Sequence, residues 1–179
     1  MEKVILVDEK DNEVGVMEKL EAHKDPKLHR AVSVVILNNK NEMLIHKRAS
    51  TKYHCPGLWT NASCTHPMPG EETKTAAIRR LKQEMGIDCE ANNIELNEAF
   101  TFIYKKEFDN GLTEWEFDHA FVGKVDDNFN NESINLNPEE VDDYKWINMD
   151  ELKKDISENS NKYTYWFKII IDKLSSSQQ

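Results

Sequence analysis

Glu71-Glu72-Thr73-Lys74-Thr75-Ala76-Ala77-Ile78-Arg79-Arg80-Leu81-Lys82-Gln83-Glu84-Met85-Gly86-Ile87 is the segment on which the fold turns. Apolar residues fall at Ala77, Ile78, Leu81 and Met85, three and four apart, which predicts a helix over 71–85 with one apolar face. Acidic residues open the segment, where the positive end of a helix dipole favours them. Gly86 closes it with a residue that takes the left-handed conformation common at helix ends. Within this stretch Glu84 stands four residues after Arg80, the spacing of an intrahelical ion pair.

On its N-terminal side, residues 49–70 carry Pro56, Gly57, Pro67, Pro69 and Gly70, and read as an irregular stretch around a short strand at Leu58 to Asn61. Earlier still, Ala31 to Leu37 is a β-branched strand, 38–41 a turn, and Glu42 to Lys47 the returning strand of a hairpin. The chain begins with a strand at Val4 to Val7, a turn at Asp11-Asn12 and one helical turn over Glu18 to His23. On the C-terminal side, Ile94 to Phe108 and Leu112 to Val125 read as two long strands joined by the hairpin signal Asp109-Asn110-Gly111. An acidic, Asn-rich loop over 126–143 follows, to which no role can be given. A strand at Tyr144 to Ile147 and helices over Met149 to Ile156 and Lys162 to Leu174 come next, with Ser175 to Gln179 expected to fray. Mixed strands with few helices predict an α+β fold. The absence of repeats and linkers predicts a single domain over 1–179.

The composition narrows the function. Hydrophobic residues make up 39% and charged residues 31%, which suits a globular protein with a real core. No apolar run approaches the roughly 20 residues of a membrane span, and the first residues lack the features of a secretion signal. A net charge of -10 argues against nucleic acid or an anionic membrane as partner. Any anionic substrate must therefore be held by local cations or metal. Three cysteines, Cys55, Cys64 and Cys89, with no CxxC pair, suggest no disulfide framework and fit a reducing compartment. The expected location is the cytoplasm. Cys55 and Cys89 have no assigned role.

Three groups of residues could carry chemistry. In Glu114-Trp115-Glu116-Phe117-Asp118-His119, strand alternation puts Glu114, Glu116 and Asp118 on one face and Trp115 and Phe117 on the other. A row of carboxylates on one face is either a solvated edge or a cation site. The histidines supply further donors: His23, His29 and His66, with two strand carboxylates, would fill an octahedral site. Spacing alone leaves open whether they converge. Nothing in the sequence marks His46, His54 or His119 as ligands. Cys64, two residues before His66, is either a small buried hydrophobe or a thiol placed to act as thiolate or proton donor.

The segment from Thr65 to Ile87 resembles a degenerate Nudix box. Glu71, Arg79, Leu81, Glu84, Gly86 and Ile87 match that box, while Thr65, Arg80 and Gln83 stand where it has a glycine and two glutamates. The pattern of departures, with Glu18-Lys19-Leu20-Glu21-Ala22-His23, Leu28-His29-Arg30-Ala31, Lys47-Arg48-Ala49, Pro56-Gly57-Leu58-Trp59-Thr60-Asn61, Cys64-Thr65-His66-Pro67 and Glu114-Trp115-Glu116, resembles the type I isopentenyl-diphosphate delta-isomerases. The resemblance runs from about residue 3 to 170. It implies a Nudix-like mixed sheet sandwiched between helices, and an isomerase that moves a double bond in a five-carbon diphosphate.

The resemblance also implies residue roles. His23, His29, His66, Glu114 and Glu116 would hold Mn2+ or Zn2+, and Glu84 would help hold a Mg2+ on the diphosphate. Lys19, Arg48, Lys52 and Arg80 would face the diphosphate. Cys64 and Glu116 would be the catalytic pair, assisted by Tyr104, with Trp166 over the hydrocarbon. The partner would be a small-molecule diphosphate and the protein a monomer. A Nudix pyrophosphatase would need the full glutamate cluster, which Arg80 and Gln83 interrupt. A metal-binding module without activity would have no use for Cys64.

Overall fold

The computed structural model describes residues 1–177. Strand β1 (Lys3–Val7) pairs antiparallel with β2 (Glu13–Glu18), and helix α1 (Lys19–Lys24) follows at once. The Glu18 carboxylate caps α1 by accepting from the Glu21 amide at 3.0 Å. Strand β3 (His29–Leu37) turns at Asn38–Asn41 into β4 (Glu42–Arg48), as the β-branched run and its turn predict. Short strands β5 (Trp59–Thr60) and β6 (Ser63–Thr65) come next, then α2 (Thr73–Met85). The long hairpin of β7 (Asn97–Glu107) and β8 (Thr113–Lys124) precedes β9 (Val141–Asn148), α3 (Met149–Glu158) and α4 (Tyr165–Ser177).

Nine strands form one branched mixed sheet. β3 is its hub. Along one side it pairs in parallel with β8 over its whole length, from His29↔Glu116 to Leu37↔Lys124. Along the other side it meets β1 at His29, β6 at Val32–Val34 and β4 at its C-terminal end. Both faces of β3 are buried, so its residues alternate between two cores. Val32, Val34 and Ile36 pack toward α2, with Ala77, Leu81 and Met85. Val35 packs toward α4, with Phe167, Ile170 and Leu174. Helices thus cover both faces of an α+β sheet, as expected. Each fully buried residue such as Leu81 or Phe167 contributes roughly 1.5–3 kcal/mol.

Several boundaries differ from the sequence reading. The 71–85 helix starts at Thr73, because Glu71 is engaged outside it: its carboxylate accepts from the Met68 amide and from Arg79. Gly86 ends it at φ 69°, where an added Cβ would meet the Asn135 backbone oxygen at 2.7 Å. The strand expected from Ile94 begins at Asn97, since Ile94 closes a turn onto Cys89 and packs into the α2 core. The last helix starts at Tyr165 rather than Lys162. Ser160–Lys162 form a separate 3-10 turn, and the Thr164 amide donates to the Trp59 carbonyl of β5, which holds Tyr163 extended between the two. Its helical conformation persists through Ser175–Ser177, where fraying was expected; 178 and 179 lie outside the described residues. β2 and β6 were not anticipated, and β9 is longer than the strand read at Tyr144 to Ile147.

Candidate active site

The β3–β8 ladder brings the chemistry-bearing residues together. Glu114, Glu116 and Asp118 all point inward from β8 and are buried, so the solvated-edge reading is overturned. Trp115 and Phe117 face the opposite way, against Ile5, Val7 and Leu28. His29, the first residue of β3, lies beside Glu116. His23 sits on the buried face of α1, and His66 follows β6.

The imidazoles converge. Donor atoms of His23, His29, His66 and Glu116 all lie within 4.8 Å of one another. His66 Nε2 is 2.9 Å from Glu116 Oε1, and His29 Nε2 is 3.5 Å from the same oxygen. His29 Nδ1 is 2.9 Å from the Lys27 carbonyl. That contact fixes the proton on Nδ1 and leaves the Nε2 lone pair aimed into the cluster. Neither nitrogen of fully buried His23 has a hydrogen-bond partner, and His29 Nε2 has none. An orphaned buried polar atom costs about 1–3 kcal/mol, a cost removed when a cation takes the lone pair. Imidazole and carboxylate donors suit a borderline divalent ion. The residues therefore fit a metal.

Charge states follow from burial. Desolvation, then the neighbouring His29 and His66, pushes His23 down to about 3. Burial pushes Glu116 up, but the neighbouring His29 and His66 imidazoles outweigh it and hold it well below the usual carboxylate range. Burial, then repulsion from Glu116, pushes Glu114 up. The Tyr104 hydroxyl stands between the two, 2.9 Å from Glu114 Oε2 and 2.8 Å from Glu116 Oε2.

Cys64 is the middle residue of β6, so it and Glu116 stand on either side of β3. Its thiol donates to Asn61 Oδ1 at 3.4 Å and accepts from the Trp166 indole N–H at 3.1 Å. Burial, reinforced by Glu84 and Asp118, pushes the thiol up to about 12. The thiol is therefore neutral, not a thiolate.

Cys64, His66, Tyr104 and the three β8 carboxylates line one cavity of about 260 Å³. Cations line it as well, and all of the lysines and arginines among them except Arg48 pair with carboxylates. Lys52 meets Glu140 at 2.5 Å; Arg80 meets Glu84 at 2.8 Å and Glu140 at 3.0 Å; Lys19 meets Glu2 at 3.2 Å. The Arg80–Glu84 pair is the one its spacing predicts. Burial pushes Glu84 up to about 7 despite Arg80.

A NUDIX domain family profile matches residues 27–167. The chain is 43% identical to isopentenyl-diphosphate Delta-isomerase 2 of Aromatoleum aromaticum over 98% of this chain and 87% of that one. It is 45% identical to isopentenyl-diphosphate Delta-isomerase 2 of Photorhabdus laumondii, over 97% and 93%. The chain belongs to the isopentenyl-diphosphate Delta-isomerases of the NUDIX superfamily. Solved structures add the fold: a Deinococcus radiodurans protein superposes with TM-score 0.76 at 18% identity, over 96% of this chain and 98% of that one. A C. elegans Ap4A hydrolase superposes with TM-score 0.60 at 21% identity, over 83% and 96%.

For an isomerase of this family, the site holds every residue that the sequence singled out. Cys64, His66, Tyr104, Glu114 and Glu116 line the cavity with Lys19, Arg48, Lys52, Arg80, Glu84 and Trp166, and His23 and His29 join them through the donor cluster. Arg48 is more constrained than expected. Its Nε and Nη2 donate to the His54 carbonyl at 3.1 and 3.0 Å, and its guanidinium lies 5.4 Å from the Trp166 ring. Four further residues, given no role from the sequence, adjoin these groups. Glu140 comes from the acidic loop and ties Lys52 to Arg80. Asn61 orients the thiol. Asp118 accepts from Ser33 Oγ at 2.8 Å, and its burial, then Glu116, pushes it up to about 8; strand alternation had marked it. His54, set aside with His46 and His119, shares a donor cluster with His23 and Glu114.

Proposed function

We propose that the chain interconverts isopentenyl diphosphate and dimethylallyl diphosphate by adding a proton to one end of an allylic unit and removing one from the other. The observation that carries this is a proton-bearing thiol, Cys64, and a carboxylate, Glu116, on either side of β3 in one cavity. Protonating an unactivated alkene and deprotonating the carbon beyond it requires an acid and a base at separate positions. The neutral Cys64 thiol can hold or give a proton, and the Tyr104 hydroxyl can relay one to Glu116. Since the reaction is reversible, the two roles exchange with direction.

His23, His29, His66, Glu114 and Glu116 would hold Mn2+ or Zn2+. Bound there, the ion would draw electron density from Glu116 and tune the acidity of that carboxyl group. Glu84 would help hold Mg2+ on the diphosphate. Lys19, Arg48, Lys52 and Arg80 bind the diphosphate as a handle, with charge-assisted bonds that offset the chain's net charge of -10. Trp166 packs over the hydrocarbon, and its π face favours developing positive charge. The buried Tyr104 and Trp166 beside Cys64 keep water from the cationic intermediate.

The reading carries with it a single-domain, monomeric enzyme of the cytoplasm. Among the described residues no helix is long and apolar enough to cross a membrane. Incubation with isopentenyl diphosphate and divalent metal, with dimethylallyl diphosphate and free phosphate both measured, tests it. Phosphate without allylic product would mark a hydrolase, and no turnover a binding module.

A further inference from the structure

His54 lies in the irregular segment between β4 and β5, yet it is not a surface residue: it is 5% exposed. Its backbone is pinned, since Arg48 donates twice to its carbonyl oxygen. Its ring therefore points to a fixed place. That place is beside His23, 4.8 Å between ring centroids at 74°, with Nε2 3.9 Å from Glu114 Oε1. Glu114's other oxygen is the one that takes the Tyr104 hydroxyl. Neither nitrogen of His54 has a hydrogen-bond partner.

Those two orphaned nitrogens separate a ligand from a packing residue. His54 does touch the rings of Tyr53 and Phe108, at 4.4 and 5.1 Å. A ring buried only for those contacts gains nothing from two polar atoms and loses about 1–3 kcal/mol for each left unpaired.

We propose that His54 is a sixth protein ligand to the ion held by His23, His29, His66, Glu114 and Glu116, so that four imidazoles and two carboxylates close its coordination sphere. The inference rests on that five-ligand reading. In an octahedron with bonds of about 2.1 Å, adjacent donors are about 3 Å apart and opposite donors about 4.2 Å. The donors of His23, His54 and Glu114 lie within 4.8 Å of one another, as do those of His23, His29, His66 and Glu116. That limit stands close to the spacing of opposite donors in such a sphere. His23 belongs to both sets, which places one ion between them. Two separate ions would have to share its imidazole, leaving each short of donors. A closed sphere has no vacancy for substrate. Glu116 would then be the route by which the ion affects the reaction, and the diphosphate would be left to Lys19, Arg48, Lys52 and Arg80 in the cavity lining. The nitrogen-rich set also disfavours Mg2+ at this position.

Cobalt titration of the full chain, stripped of metal by chelation, tests this by calorimetry, elemental analysis and visible absorption. The wild type is expected to take up one Co2+ per chain. His54→Gln and His54→Phe are expected to keep that stoichiometry, bind at least about tenfold more weakly and show shifted d–d bands. Metal-free melting temperatures equal to that of the wild type exclude a folding defect; His54→Gln keeps a polar side chain should the phenylalanine variant fail to fold. Unchanged affinity and spectrum in both variants, with a loaded wild type, overturn the role of His54 and leave the five-ligand reading standing. Two Co2+ per wild-type chain overturn the single closed site. No Co2+ bound by the wild type overturns both readings.

Discussion

Replacing Asn61 by alanine isolates what holds the Cys64 thiol in place. Asn61 is fully buried and does not line the cavity, so it meets no substrate. Its amide donates to Val34 O at 3.1 Å and Ser63 O at 2.7 Å, and its carbonyl accepts from Thr60 Oγ1 at 2.9 Å and Cys64 Sγ at 3.4 Å. At about 1 kcal/mol net for each bond, the thiol's being weaker, their loss costs about 3–4 kcal/mol. In a chain of this size each kcal/mol lowers the melting temperature by about 2–4 °C, so a fall of about 6–16 °C is expected. The thiol keeps only its bond from Trp166. Misorientation worth about 1.4 kcal/mol in the transition state lowers kcat about tenfold, with KM nearly unchanged. Thermal unfolding followed by circular dichroism and steady-state isomerase kinetics measure the two effects. A melting temperature within about 3 °C of wild type, together with an unchanged kcat, would refute the reasoning.

Cys64→Ala is expected to lower turnover by at least about 10²–10⁴-fold while leaving fold and metal content intact; near-normal activity would sink the proposed chemistry. Gly86→Ala forces a side chain into a left-handed position with the Asn135 backbone 2.7 Å away, and should cost about 2 kcal/mol or more in urea unfolding; a loss below about 0.5 kcal/mol would mean that the loop yields freely. Burial, opposed but not overcome by the Ala62 carbonyl, holds His46 down to about 4 from its ordinary 6.5. Between those values the unfolded chain binds a proton that the folded one does not, so this contribution is complete above 6.5 and lost as pH falls toward 4. His46→Asn should accordingly lose about 2 kcal/mol less stability than wild type between pH 7.5 and 5; equal losses would rule the residue out.

What the sequence disclosed depended on whether the signal was local. The α2 segment could be read because its apolar spacing and Gly86 lie within one stretch, and the β7–β8 hairpin because Asp109-Asn110-Gly111 encodes its own turn. There the Asn110 side chain accepts from the Leu112 amide, and Gly111 sits at φ 80°. β6 is three residues with no pattern of their own, made a strand only by pairing with β3. β2 alternates weakly through Gly15 and becomes a strand by pairing with β1. At the site, strand alternation grouped Glu114, Glu116 and Asp118, but nothing local could join them to histidines on three other segments. Glu140 sits in a stretch read as loop and Asn61 at the end of a short strand, and their roles exist only through Lys52, Arg80 and Cys64.

The parallel pairing of β3 with β8 also sets the order in which the molecule can be assembled. Ser33 and Asp118, hydrogen-bonded across that ladder, are 85 residues apart in sequence. The β7–β8 hairpin and α2 can form from neighbouring residues, but the ladder must first close a long loop, whose entropy cost is met before any contact rewards it. His29 and Glu116 are ladder partners, so the cluster of imidazoles does not exist until that slow step is complete. An ion taken up there would act as a late clasp on the finished sheet, slowing its unfolding rather than guiding its folding.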